Sequence, residues 1–425
     1  MVRKNFYFQY GVILITVLFA LVPFHAAVVT IIGASIDFKP VLQLWKEMLI
    51  GIILLMCFVA YLRNRSLFRL DTINILALSI ILLSLLITII FRPDTAAILA
   101  GIKTNLVVLS LFFAVQVVSE YFSLARLQKI ILWPATLVAV IAILQPWIFT
   151  PYILEQIGYT SNSIIAGQYI ESSRSALRVF STLGGPNQLG AYLIIPITLC
   201  LTLAVRKKQW LWLLAVAGFS LPLYMTYSRS AWLGAVTAVL TAILICTNKR
   251  VQLGAISALA VLVLVGTIIA SQVNICQQFP SIASQILHGD CSSGTLSGSD
   301  FQRLTSQKLG LTTVEKQPIG YGLGSAGPAS FFGNAPLITE NWYLQIAIEV
   351  GVLGLVLYLA LFGLLAFRLY VSSQSHSPDA ILSATLFAVL CGLMISSLFL
   401  HTLADSTLGI LLFGLLGIQK SRITA

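Results

Sequence analysis

Residues 72–91 read TINILALSIILLSLLITIIF and contain no charged side chain. A helix of about 20 apolar residues spans the roughly 30 Å hydrocarbon layer of a bilayer. Runs of this kind recur along the whole chain. The pattern predicts an all-α integral membrane protein, a single polytopic domain over residues 1–425. It would have about 12 transmembrane helices near residues 10–32, 41–61, 72–91, 97–119, 130–150, 187–205, 210–226, 231–247, 251–271, 341–367, 380–400 and 407–419.

The composition excludes an ordinary soluble protein. Of the 425 residues 58% are hydrophobic and 9% are charged, and the mean hydropathy is +0.95. Soluble domains carry about 25% charged residues. The net charge of +11 does not indicate a nucleic-acid partner, because the basic residues are scattered in twos and threes between apolar runs instead of forming one basic face.

The basic residues predict the orientation of the chain. Most of the 25 lysines and arginines fall in alternate short loops, for example at Arg206 to Lys208, and such loops are usually cytoplasmic. Both termini are therefore expected in the cytoplasm. The first apolar run is long enough to span and lacks a small-residue cleavage site, so we expect it to be retained as a helix.

Two segments on the predicted outer side are long, residues 151–186 and residues 272–340. Within the second, residues 281–300 are rich in Ser and Gly, which favours a mobile lid or tether. Cys276 and Cys291 fall in this loop and would meet an oxidising compartment, so either a disulfide or two free thiols is expected. The histidines lack ligand spacing, and neither a metal nor another cofactor is predicted.

Arginine is avoided in and just outside membranes, so outer-side arginines are candidate functional residues. Arg178 opens the segment RVFSTLGGPNQLG at residues 178–190. The Gly-Pro-Asn turn would leave free backbone N–H groups at a helix start, which suits an anion. The alternative is an ordinary helix start capped by Asn187, with Gly184 and Gly185 as turn residues.

Two further arginines are candidates. Arg229 lies in TYSRSAWLG, residues 226–234, where a tight turn joins two spans; the alternative is an interfacial Arg beside an interfacial Trp. Arg303 follows the Ser- and Gly-rich stretch, and its alternative is a solvated loop residue. The nearby GYGLG at residues 320–324 lacks the Lys-Ser/Thr of a phosphate loop, so a flexible turn is expected there.

The segment TENWYLQIAIEVG at residues 339–351 carries the long loop into the tenth span. On a helix Asn341, Gln345 and Glu349 form one polar stripe, which in a membrane faces a cavity or another helix. Glu340 lies at the helix start, where a carboxylate is either a cap or a general base. For Glu349, two turns deeper, an internal hydrogen bond or an Arg partner is favoured over catalysis.

These motifs, in this order, resemble the O-antigen ligase / O-antigen polymerase superfamily of bacterial membrane glycosyltransferases. The resemblance is carried by residues 178–190, 226–234 and 320–324, and by the stretch from Glu340 to Gly354. Each motif alone is weakly specific, whereas the ordered set on one predicted side of the membrane is fairly specific.

The resemblance implies a C-type glycosyltransferase in the bacterial cytoplasmic (inner) membrane with an active site that faces outward. Its donor would be a glycan on undecaprenyl diphosphate, and its acceptor a hydroxyl of lipid A core, another lipid-linked glycan or a protein. Family arginines contact the diphosphate, a role that the resemblance assigns to Arg229 and Arg303 and less firmly to Arg178. We expect further substrate contacts from a polar set: Asn187, Asn341, Tyr343 and Gln345.

One position departs from the lipopolysaccharide ligases, many of which have a His before the Asn of the tenth-span motif. Here that residue is Glu340, and a carboxylate there is familiar among polymerase-like members. We therefore take Glu340 as the candidate base, Arg229 and Arg303 as catalytic cations, and Glu349 as site support.

The alternatives to a ligase are a polymerase of the same superfamily and, in another class, a secondary transporter with interrupted half-helices. The sequence does not determine the oligomeric state.

Overall fold

The computed structural model of the chain describes residues 6–34, 39–65, 68–161, 163–170, 173–247 and 298–424. The predicted ninth span at 251–271, the two loop cysteines Cys276 and Cys291, and residues 281–297 of the predicted mobile stretch lie outside the described residues.

The part of the chain before residue 247 forms helices joined mostly by short turns. Because these segments are apolar and lack interior breakers apart from a few prolines, the backbone satisfies its own hydrogen bonds within each helix. They are α1 Phe6–Leu21, α2 His25–Gly33, α3 Lys39–Arg63, α4 Thr72–Phe91, α5 Thr95–Val117, α6 Leu124–Leu144, α7 Pro151–Gln156, α8 Pro186–Lys207, α9 Trp212–Met225 and α10 Arg229–Cys246. Two short antiparallel strands, β1 Tyr169–Ile170 and β2 Ser173–Leu177, precede α8.

The described part after residue 297 adds five helices and two short 3-10 turns. The turns are Gly327–Phe332 and Thr402–Ala404. The helices are α11 Gly298–Lys316, α12 Trp342–Glu349, α13 Gly351–Ser373, α14 Ala380–Ser396 and α15 Ser406–Thr424.

The protein is a mostly helical, multi-pass membrane protein. Eight helical segments of the described residues are long and apolar enough to cross a bilayer; one of them, Gln9–Gly33, runs through α1 and α2, and α9 and α14 are shorter apolar helices. The predicted number of twelve spans is therefore not confirmed. The all-α prediction holds for the described residues apart from the small hairpin of β1 and β2.

Two predicted segments differ from the structure. The tenth span, predicted as one helix over 341–367, is broken between α12 and α13. At the break Gly351 has a φ of +80°, and a Cβ there would lie 2.2 Å from the Ile319 carbonyl oxygen, so the backbone fits only without a side chain. The predicted outer loop 272–340 also contains α11, a helix of polar composition. It was not predicted, because it directly follows a Ser- and Gly-rich stretch.

Helix α8 lies at the centre of the bundle. It is 89% buried and packs against α9, α10 and α14. Gly234 of α10 and Gly392 of α14 let these two helices approach so closely that a Cβ on Gly234 would lie 2.8 Å from the Gly392 carbonyl. By contrast α3 and α4 expose large apolar side chains such as Leu55 and Ile89, each 64% exposed, as expected of helices that face lipid.

The bundle has two ends with different chemistry. The helix starts of α8, α10, α12 and α15 share one end, and we call it the cavity end for the feature described below. At the other end, the clamp end, polar side chains hold the last turns of α15: Asp71, Gln116, Asp379, Lys420 and Arg422.

Candidate functional site

A cavity of about 570 Å³ opens at the cavity end of the bundle. Its walls come from α3, α5, the start of α8, the 3-10 turn Gly327–Phe332 and the linker between α14 and α15. Of the residues that the sequence singled out, Asn187 and Glu340 line it. The other polar side chains on its walls were not predicted.

Glu340 is held in an unusual backbone conformation. Its φ is +50°, the left-handed region, which costs a non-glycine residue about 1–3 kcal/mol and is tolerated mostly at functional positions. The next residue, Asn341, caps α12: its Oδ1 accepts the N–H groups of Tyr343 at 2.8 Å and Leu344 at 3.1 Å. The alternative that Glu340 is the helix cap is therefore wrong, and its carboxylate lies on the cavity wall.

Arg303 lies close to Glu340 but is not among the residues that line the cavity. The distance from Arg303 Nε to Glu340 Oε2 is 3.6 Å, with the two side chains 26% and 32% exposed. The side chain of Gln307, one turn along α11, donates to the Leu398 carbonyl at 3.2 Å, which fixes the helix against the linker. An ion pair with this exposure contributes about 0–1 kcal/mol, so Arg303 can exchange Glu340 for another anion at little cost.

A partly buried histidine of the cavity wall, His401, contacts Glu340. The backbone N–H of Glu340 donates to His401 Nε2 at 3.2 Å, so this nitrogen carries no proton. His401 Nδ1 must then hold the proton of a neutral ring and donate it to Gln345 Oε1, 2.8 Å away,. Burial lowers the pKa of His401 to about 4, which agrees with a neutral ring. Together His401 and Gln345 support the strained backbone of Glu340.

Arg178 organises the start of α8. Its guanidinium donates to the Thr226 carbonyl and to Asn187 Oδ1, each at 3.0 Å. It thereby ties the strand hairpin to both α8 and the turn between α9 and α10. The alternative of a helix start capped by Asn187 is wrong, because the N-cap of α8 is Gly185 and Pro186 follows it.

Arg229 is the first residue of α10 and lies at the same end of the bundle. The turn before it is fixed by Trp232, whose indole N–H donates to the Leu223 carbonyl at 3.0 Å and whose ring stacks on Tyr224 at 5.7 Å. Arg229 is partly buried but is not among the residues that line the cavity. The structure thus brings Arg303 to Glu340 and leaves Arg229 on a neighbouring helix start.

Two other predicted residues of α12, the substrate-contact candidate Tyr343 and the stripe residue Glu349, are used inside the protein. Tyr343 donates its hydroxyl to the Met394 carbonyl at 2.8 Å. Glu349 is fully buried and accepts from the Gly324 N–H at 3.0 Å and from Asn105 at 3.2 Å. The GYGLG segment is a turn, but the expectation of flexibility was wrong: Leu323 is fully buried, and the turn is hydrogen-bonded to the end of α12.

The sequence reasoning missed several side chains on the cavity wall, among them His25, Lys46, Lys103, His401, Asp405 and Ser406. Lys46 and Lys103 lie inside apolar runs, and a charge at membrane depth is a signal of function by itself. That signal could have found the lysines. It could not have shown that they share a cavity with Glu340, which is more than 200 positions away in the chain.

Comparison with known proteins gives one family. Residues 213–359 match the model of the O-antigen ligase family. A search among curated proteins found no match. The matched range contains Arg229, Arg303, Glu340 and all of α12, whereas Arg178, Asn187 and the cavity lysines precede it. The predicted resemblance of this membrane protein to the O-antigen ligase / O-antigen polymerase superfamily is thereby confirmed.

Proposed function

We propose that the protein transfers a glycan from undecaprenyl diphosphate to an acceptor hydroxyl, at the outer face of the bacterial inner membrane. The observation that carries the proposal is the pair of Arg303 and Glu340 beside the cavity, inside the range that is similar to O-antigen ligases. Transfer from a diphosphate needs a cation for the leaving group and a base for the acceptor, and this pair supplies one of each.

In the proposed reaction the acceptor oxygen attacks the anomeric carbon while the bond from that carbon to the diphosphate oxygen breaks. Attack from the face opposite the leaving group inverts the configuration. The hydroxyl proton passes to the Glu340 carboxylate. The electron pair of the broken bond stays on the diphosphate, which leaves as an anion.

The contact between Arg303 and Glu340 suggests how the two groups change roles. Without substrate each partly neutralises the other at 3.6 Å. When a diphosphate enters, its charge competes for Arg303 through charge-assisted and bidentate hydrogen bonds. The carboxylate is then released for the acceptor hydroxyl. Arg229, on the neighbouring helix start, is proposed as a second cation for the diphosphate.

The contacts that hold Glu340 in place support its proposed role as the base. Its backbone N–H is bonded to His401, its neighbour Asn341 caps α12, and its side chain lines the cavity. A general base must be held within hydrogen-bonding reach of the proton that it accepts. The proposed contacts of Asn187 and Asn341 with the substrate would add orientation.

The ligase and polymerase forms are separated by one experiment. The purified protein in lipid is incubated with a short oligosaccharide on undecaprenyl diphosphate and no other acceptor, and the products are resolved by size. A ladder of multiples of the repeat supports a polymerase. Transfer only after lipid or protein acceptors are added supports a ligase, and no transfer with any acceptor contradicts the proposed function.

A secondary transporter is the alternative of another class, and the break between α12 and α13 is the observation that favours it. In transporters such a break lines the substrate cavity. Here Gly351 instead packs on the carbonyls of Pro318 and Ile319, and it does not line the 570 Å³ cavity. The transferase therefore remains the preferred proposal.

A further inference from the structure

Four polar side chains that the proposed reaction does not use line the same cavity as Glu340. They come from α2, α3, α5 and the first residue of α15, and we call them the donor wall: His25, Lys46, Lys103 and Ser406. The family match begins at residue 213 and includes none of them.

Lys46 is only 1% exposed, although it lines the cavity. Its ammonium donates to Ser406 Oγ at 2.5 Å, and within the described part of the chain its ion-pair partner is Glu47, whose Oε1 is 3.9 Å away. The second distance is too long for a hydrogen bond. Burying an ammonium ion within a membrane helix is costly unless an anion compensates it, and the compensation from Glu47 is weak.

Lys103 uses the same carboxylate. Its Nζ is 3.2 Å from Glu47 Oε1 and 3.4 Å from the Gln43 carbonyl. One carboxylate group is thus shared by two ammonium ions. Asp405, the other carboxylate on the nearby wall, accepts the Leu408 N–H at 2.9 Å at the start of α15, so its charge stabilises the end of a helix.

The hydrogen-bond roles make the wall a set of donors. The indole N–H of Trp45 donates to His25 Nδ1 at 2.9 Å, so the neutral ring of His25 carries its proton on Nε2 and can donate from there. Ser406 Oγ accepts from Lys46, which leaves its own O–H proton to be donated. Two ammonium ions, an imidazole N–H and a hydroxyl all match an acceptor with several oxygens.

We propose that the donor wall binds an oxyanion of the substrate, a phosphate or a carboxylate. The proposal rests on the proposed function, since it takes the cavity as the place where substrate binds. The oxyanion has two possible sources, the diphosphate of the donor lipid and an acidic sugar of the glycan. Such a group would accept hydrogen bonds from the two lysines, His25 and Ser406 together, while Glu340 stays free for the acceptor hydroxyl.

The test measures binding without turnover, on the full-length protein in lipid nanodiscs. The probes are two matched pairs: geranyl diphosphate with geraniol, and a glucuronic acid-containing disaccharide with its neutral glucose counterpart. The variants are Lys46→Met and Lys103→Met, which keep most of the side-chain volume. The control is Lys207→Met, which removes an exposed lysine at the clamp end. Thermal unfolding is recorded for each variant.

We expect wild type to bind at least one charged probe more tightly than its neutral partner. Each donor-wall variant should weaken that probe about ten- to a hundredfold and leave the neutral partner and the Lys207→Met control unchanged. If the variants bind only geranyl diphosphate more weakly, the donor wall binds the diphosphate of the donor lipid. If they bind only the acidic disaccharide more weakly, it binds an acidic sugar of the glycan. If Lys46→Met does not fold, the same binding measurement is made on Lys103→Met, because Lys103 is partly exposed. Lys103→Arg is expected to bind the charged probe within a few-fold of wild type.

The donor wall is overturned if wild type binds neither charged probe better than its neutral partner, or if both charged probes bind the Lys103→Met variant as tightly as wild type. The proposed function can fail separately. A protein that binds a charged probe through the lysines but transfers no glycan supports the donor wall and contradicts the transferase. A protein that transfers glycan while its Lys103→Met variant binds normally contradicts the donor wall alone.

Discussion

Cations lie at both ends of this helix bundle, and their partners differ. At the clamp end Lys420 is 3% exposed, 3.0 Å from Asp71 Oδ2 and 3.0 Å from Gln116 Oε1. At the cavity end Lys46 is equally buried, but its ion-pair partner among the described residues, Glu47, is 3.9 Å away, and Arg303 is 3.6 Å from Glu340. Lys420 is thus held by short contacts inside the protein, whereas Lys46 and Arg303 have long contacts to their carboxylates at the end that has the cavity.

This difference in contact distance distinguishes cations that stabilise the fold from cations that can bind a substrate. A buried cation with short bonds to a carboxylate and an amide is already compensated, and removing it costs the protein both contacts. A cation with a long, partly exposed contact contributes little to folding and can change its partner when an anion enters. Variants at the cavity end should therefore reduce the rate of transfer, and variants at the clamp end should reduce stability.

The largest expected effect is that of Glu340→Gln. The amide cannot accept the acceptor proton, so the transfer rate should fall by about a hundred- to ten-thousandfold, with an unchanged melting temperature. The rate is measured with the lipid-linked oligosaccharide assay described above. Glu315→Gln, at an exposed position of α11, is the control, and full turnover by Glu340→Gln would show that another group is the base.

Replacement of Arg303 should have the next largest effect. Arg303→Ala removes a donor to the departing diphosphate and is expected to slow transfer by about a hundred- to a thousandfold. Arg303→Lys should recover only part of the rate, because an ammonium ion does not make the paired contacts of a guanidinium. The control is Arg65→Ala, at an exposed position. A wild-type rate in Arg303→Lys would argue against bidentate recognition.

At the clamp end Lys420→Met should act on stability alone. It breaks the 3.0 Å contacts of the buried ammonium with Asp71 and Gln116, so the free energy of unfolding should fall by about 1–3 kcal/mol. The melting temperature in lipid is the measurement, and the transfer rate per folded molecule should be unchanged. Lys207→Met is again the control. A stable but inactive Lys420→Met protein would contradict the separation of the two ends.

The smallest expected effect is the pH dependence contributed by His401. Burial lowers its pKa from 6.5 to about 4, so between these values the unfolded chain binds a proton that the folded protein excludes. The contribution of His401 to stability is complete above pH 6.5 and decreases as the pH falls toward 4. His401→Gln should flatten the melting temperature across this range, whereas His376→Gln, at an exposed position, should not. An unchanged slope in His401→Gln would contradict a neutral buried ring.

Local patterns predicted the helices well because apolar length is a local property. The run at 72–91 is helix α4 with the same bounds, and the break at Gly351 was missed because a glycine in an apolar run looks like any small residue. The need for it comes from the Ile319 carbonyl, which the fold brings within 2.2 Å of a Cβ position. Helix α11 was missed because its polar sequence lacks the apolar period of a span.

The candidate site was predicted in part. The motif around Glu340 was recognisable because the order of residues on one helix start is local, and its polar groups are rare in a membrane chain. The contacts of Glu340 with Arg303 and His401 were not predicted, since they join residues 37 and 61 positions apart through the packing of α11 and the linker after α14. The role of Arg178 at the start of α8 likewise depends on the neighbouring turn.

The sequence by itself determined that this chain is a helical membrane protein that resembles the O-antigen ligases. Hydropathy and short motifs can be read from neighbouring residues, because both are local properties of the chain. Only the tertiary structure decided which charges meet. It placed Arg303 on Glu340 and Lys46 beside Ser406, 360 positions later in the chain. The physical reason is that helix packing, set by apolar faces and close glycine contacts, fixes the distances between polar side chains. Nothing in the local sequence of a polar residue indicates which distant residue will be its partner.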